Sequence, residues 1–81
     1  MKMPRDLSGA ELIKRLAVLG YKPSRQTGSH IRLTCDSPSP HHLTVPKHDP
    51  LRVGTLSAIL AEVAAHHRLS RDELLQRLFG E

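Results

Sequence analysis

The tripeptide Gly28-Ser29-His30 stands directly before the run Ile31-Arg32-Leu33-Thr34-Cys35, in which apolar and polar residues alternate. Alternation with period two is the mark of a half-buried strand. It predicts Ile31, Leu33 and Cys35 facing a core, with His30, Arg32 and Thr34 on the opposite side. His30 would then enter the open face of a sheet with a cation two residues along. An imidazole, with an ordinary pKa of about 6.5, can remove a proton or supply one near neutral pH. Guanidinium and ammonium groups stabilise charge on a phosphorane-like transition state. RNA carries its own nucleophile, the 2′-OH beside the scissile phosphate. His30 with Arg25, Arg32 and Lys47 therefore has the parts to cut a phosphodiester without a metal ion. The competing reading is a polar strand histidine with no chemical task.

Other chemistries find less support. Six histidines invite a metal site, but His41-His42 and His66-His67 are adjacent pairs. Neighbours on a strand point to opposite faces and neighbours on a helix diverge by about 100°, so neither pair is a natural chelate. Cys35 is expected inward, and no C-x-x-C or H-E-x-x-H spacing occurs. No metal and no cofactor is expected. Ser29 beside His30 is not a triad, whose members come from distant positions. The sheet region offers no carboxylate pair, since Asp36 and Asp49 both fall in loops.

Positioning these residues is the task of an 81-residue chain, expected to form a single domain over 1–81 that buries roughly 60% of its unfolded surface. No run of about 20 apolar residues is present to span a membrane. The start, Met1 to Asp6, leads into no apolar signal region, so the expected compartment is the cytoplasm. One cysteine excludes an intrachain disulfide, in keeping with a reducing environment. Net charge is +4, and residues 1–35 carry seven Lys/Arg against only Asp6 and Glu11. The basic surplus thus lies in the half that holds the glycine turn, and a nucleic-acid partner is the reading it favours over mere solubility. Lys22, Arg25, Arg32 and Lys47 are the expected phosphate-binding cations. With Tyr21 and Phe79 the only aromatics, an aromatic base-stacking platform is not expected.

Residues 1–6 read as a loose arm. Ser8 as N-cap with Glu11 three residues on predicts a capping box, and Leu7 can staple onto Leu12. Leu12, Ile13, Leu16 and Leu19 make an apolar stripe, and Gly20 ends the helix where a positive φ costs little. Tyr21 to Gln26 predicts an edge strand, because Pro23 lacks an N–H. Thr27-Gly28-Ser29 turns it into the strand His30–Cys35 as a hairpin. After a loop over 36–40, Leu43 and Val45 point inward while His42 and Thr44 join His30 and Arg32 on the open face. Leu56, Ile59, Leu60, Val63 and Ala64 mark a second helix, with Gly54 or Thr55 at its cap or just inside. Leu69 to Leu74 repeats the staple and capping box and opens an extra C-terminal helix over 69–80, with Leu74, Leu75 and Leu78 inward. The order α-β-β-β-α-α is an α+β layer fold, a three-stranded antiparallel sheet with helices on one face.

The blocks Ser8…Glu11-Leu12-Ile13…Leu16…Gly20-Tyr21…Arg25-x-x-Gly28-Ser29-His30, Thr44-Val45-Pro46-x-His48 and Gly54-Thr55-Leu56…Ile59-Leu60 together resemble the HicA family of small toxins over about residues 8–64. The resemblance implies a fold like a double-stranded-RNA-binding domain. It also implies an mRNA interferase restrained by a HicB antitoxin, with His30 as the catalytic residue. Gly28 would aim His30, Ser29 lies beside it, and His48 corresponds to the histidine of the Val-Pro-x-His block. The antitoxin is expected to cover the open sheet face around His30. The chain departs from the family in having Val53 where a proline often precedes Gly-Thr-Leu, and in the longer second helix and added third. A non-catalytic RNA-binding module, or an inactive protein that only binds HicB, would share these features.

Overall fold

The computed structural model describes residues 3–80. In chain order it comprises α1 (Gly9–Leu16), a 3₁₀ turn (Ala17–Leu19), β1 (Lys22–Thr27), β2 (His30–Cys35), β3 (His41–Pro46), α2 (Val53–His67) and α3 (Arg71–Phe79). This is the α+β, dsRBD-like order with an added C-terminal helix.

Helix α1 begins because the Ser8 side chain accepts from the Glu11 N–H at 3.0 Å, satisfying one of the donors a helix start leaves unpaired. The expected return bond from the Glu11 carboxylate is not formed, so this is half a capping box. The full box forms at Ser70 and Glu73 of α3, where it holds the exposed Glu73 carboxyl below its usual range. Leu12 and Leu16 are fully buried, and Ile13 and Leu19 pack on the same core. Gly20 ends the segment at φ 91°.

The sheet has the order β1-β2-β3, with both pairings antiparallel. Ile31, Leu33, Cys35, Leu43 and Val45 form its buried face, as the alternation predicts. Pro23 does lie on an edge strand, and every residue of β1 is exposed. Helices α1 and α2 contact β3, and α3 packs on both. Its Leu74, Leu75 and Leu78 belong to the common core. Gly54 and Thr55 lie just inside α2, whose N-cap is Arg52. Leu51 anchors that start, being buried and donating its N–H to the Leu7 carbonyl at 2.8 Å. Of the expected arm, Met1 and Lys2 lie outside the described residues, while Met3 is partly buried against the core.

Candidate active site

His30 is placed by its hairpin. Thr27 and His30 are register partners, which leaves Gly28 and Ser29 as a two-residue loop. Gly28 has φ 58° while Ser29 stays on the negative side, the φ pattern of a type II′ turn with glycine at its first central position. Open space surrounds the place of a Gly28 Cβ, so backbone conformation rather than crowding calls for glycine there. The Lys47 N–H donates to the Ser29 carbonyl, and the Gly9 N–H donates to the His48 carbonyl at 2.8 Å. The start of α1, the end of β3 and the hairpin are thereby tied together beneath His30.

The register decides which side chains share the open face. His30 lies between Thr27 and Pro46, Arg32 between Arg25 and Thr44, and Thr34 between Lys22 and His42. His30, Arg25, Arg32, Thr27 and Thr44 line one shallow depression of about 200 Å³. All five are exposed. Arg25 and Arg32 face each other directly, an arrangement of like charges that disfavours pairing unless an anion lies between them. The three strands carry Lys22, Arg25, Arg32 and three histidines but not one carboxylate. Among the described residues, none of those three cations has an acidic partner.

The structure thus gathers His30, Arg25 and Arg32 from the sequence-derived candidates. Lys22 shares the face, two rows away. Gly28 and Ser29 form the turn, while Lys47 and His48 follow β3 and do not line the depression. Thr27 and Thr44 do line it; Thr44 was legible from strand alternation, and Thr27 follows from a two-residue hairpin loop.

At the other end of the sheet the structure assembles a group that spacing did not reveal. The Tyr21 hydroxyl lies 2.6 Å from His41 Nδ1 and 3.0 Å from His67 Nε2. His41 Nε2 is 3.3 Å from a Glu62 carboxylate oxygen, and His41 stacks on His66 at 4.2 Å. With the neutral His41 ring protonated at Nε2, toward Glu62, Tyr21 donates to His41 Nδ1 and accepts from His67 Nε2–H. Burial, with Cys35 and Glu62 nearby, raises the Tyr21 pKa, keeping that hydroxyl a donor. Burial foremost, with His66, His41 and Arg77 adding, lowers the His67 pKa. No set of three or more His, Cys, Asp or Glu among the described residues is arranged to hold a metal ion. An apolar groove of about 460 Å³ between residues 3–7 and 50–56 shares no residue with the depression at His30.

The structure is thus a small α+β fold whose open sheet face is cationic and carboxylate-free, with a histidine at its hairpin. The family model for the HicA toxin of bacterial toxin-antitoxin systems matches residues 9–64, from α1 into the last turns of α2. The chain belongs to the HicA toxin family, and membership implies an antitoxin partner. None of the curated proteins and none of the solved structures compared matches the chain. No helix among the described residues is long and apolar enough to cross a membrane.

Proposed function

We propose that this toxin is an endoribonuclease, an mRNA interferase, in which His30 is the catalytic residue. The observation that carries the reading is a solvent-exposed imidazole sharing a depression with Arg25 and Arg32 on a face without carboxylates. Neutral His30 takes the proton of a ribose 2′-OH, whose oxygen attacks the adjacent phosphorus. The bond to the 5′-oxygen breaks, that oxygen is protonated, and a 2′,3′-cyclic phosphate remains. The protonated ring can return its proton to the leaving oxygen, so one histidine can serve both steps. Arg25 and Arg32 offset the charge that builds on the phosphoryl oxygens. Thr27 and Thr44 offer hydroxyl donors to the same oxygens. Lys22 and Lys47 contribute to phosphate attraction, and Gly28 and Ser29 hold the turn; His48 stands apart as a supporting residue.

Incubating the protein with RNA in EDTA tests the proposal. Wild type cleaves, His30→Ala does not, and the two melt within about 0.5 kcal/mol of each other because the ring is exposed. Cleavage by the alanine variant would remove His30 from the mechanism. Salt-sensitive binding without cleavage at any pH would instead identify a non-catalytic RNA-binding module. A HicB-like antitoxin that covers the open face would shield His30 from substrate. Amide exchange in the complex then protects β1 and β2, and protection confined to α3 would reject that contact.

A further inference from the structure

We infer that the far end of the open face is a ribose-recognition subsite, in which His42 accepts a hydrogen bond from an RNA 2′-hydroxyl and Lys22 holds the adjoining phosphate. This rests on the nuclease reading above and extends it by two nucleotides from the cut.

The face is built in three rows: Thr27–His30–Pro46, Arg25–Arg32–Thr44 and Lys22–Thr34–His42. Residues two apart on a strand put the rows roughly 7 Å apart, and the third lies roughly 13 Å from His30. Two nucleotides of an extended strand cover that span. Lys22 reaches the open face only because the register shifts between Pro23 and Arg25. In an unbroken strand, residues 22 and 25 would point to opposite sides; the extra residue at Ser24 puts both cations on one side.

The third row has a hydrogen-bond polarity that leaves one outcome for His42. The Ser24 hydroxyl donates to the Arg32 carbonyl at 3.3 Å, which can only accept. Ser24 has no second proton, so Thr34 donates to Ser24 at 3.0 Å. Thr34 in turn has no second proton, so the 3.0 Å contact to His42 Nδ1 is donated by Nδ1–H. A neutral ring protonated at Nδ1 carries its lone pair at Nε2. His42 is exposed, and that Nε2 has no partner among the described residues. Lys22 stands in the same row, across Thr34 and roughly 10 Å away between backbones, a span its long side chain can shorten. Such an acceptor and cation fit a 2′-hydroxyl with a neighbouring phosphate, and the 2′-OH is the group that separates RNA from DNA. Tyr21 is only 1% exposed and Phe79 lies on α3, so neither offers its ring to this face.

The experiment begins by mapping a cut in a ten-nucleotide RNA and blocking it with a 2′-deoxy substitution at the scissile nucleotide. A second 2′-deoxy substitution is then walked outward on each side, and affinity is measured for wild type and His42→Ala. The expected result is a single sensitive position, two nucleotides from the block on one side, costing about fivefold, the worth of one neutral hydrogen bond. His42→Ala binds the RNA about fivefold more weakly and is indifferent to substitution at that position. Lys22→Ala weakens every oligonucleotide alike and lowers the salt slope by about one. Unchanged affinity in His42→Ala, a deoxy penalty that persists in it, or sensitivity only beside the cut would overturn the subsite. Should wild type cut nothing, the nuclease reading fails, and the same walk on unblocked RNA still tests the subsite through its dependence on His42.

Discussion

A side chain on Gly9 would overlap the Pro46 carbonyl oxygen and crowd Lys47 Cα, although Gly9 lies at the start of a helix where alanine is otherwise favoured by about 1 kcal/mol. The obstructing atoms are backbone and cannot swing aside. Steric cost therefore wins over propensity, and Gly9→Ala is expected to destabilise the protein by about 1–3 kcal/mol. A thermal melt checks this, and a raised Tm would mean that α1 does not seat against the end of β3. Because that end bonds to Ser29, the variant should also lose the proposed RNA cleavage beyond its loss of folded fraction. Gly28 differs in kind: its place is set by φ 58° and not by a neighbour.

At the scale of elements, α2 starts in a way that invites improvement. Arg52, its N-cap, is extended at φ −66° and ψ 142° and makes no side-chain cap. That is the geometry a residue takes before proline. Val53 is the first helical residue and 71% exposed, and its N–H is one that a helix start leaves unpaired. Val53→Pro should therefore stabilise the fold by about 0.5–1 kcal/mol by restricting the unfolded chain. A lower Tm would show that the N–H or the valine side chain has a use. At the other end, Arg68 takes φ 56°, and its N–H and that of Leu69 close the helix on Ala65 and Ala64. The chain accepts the left-handed conformation there in a residue other than glycine.

The molecule as a whole is expected to lose stability in acid through the group that joins the sheet to the end of α2. His67 is held below its usual value, so it stays neutral in the fold while an unfolded chain takes up a proton near pH 6.5. Its contribution to stability is complete above about pH 6.5 and is lost as pH falls from there toward the lower folded value. His66, His41 and Arg77 face it as cations or potential cations, Tyr21 bonds to it, and Glu62 lies beyond His41. Melts at pH 7.5 and 5.5 should show a lower Tm in acid, and His67→Gln should flatten that slope. An unchanged slope would place the acid sensitivity on another group.

Local chemistry in the sequence was sufficient for the strands of the hairpin and β3, both Ser-capped helix starts, the glycine stop and the inward sets of β2 and β3. Period, capping and turn preferences act between near neighbours. The same alternation placed His30, Arg32, His42 and Thr44 on one side. The meeting of Tyr21 with His41 and His67, across 20 and 46 residues, has no local signature, because it depends on how α2 crosses the sheet. The shift at Ser24 that turns Lys22 toward Arg25, and the closeness of Gly9 to Pro46, were likewise settled by packing. A register or a backbone approach belongs to two segments at once, and neither segment carries it alone.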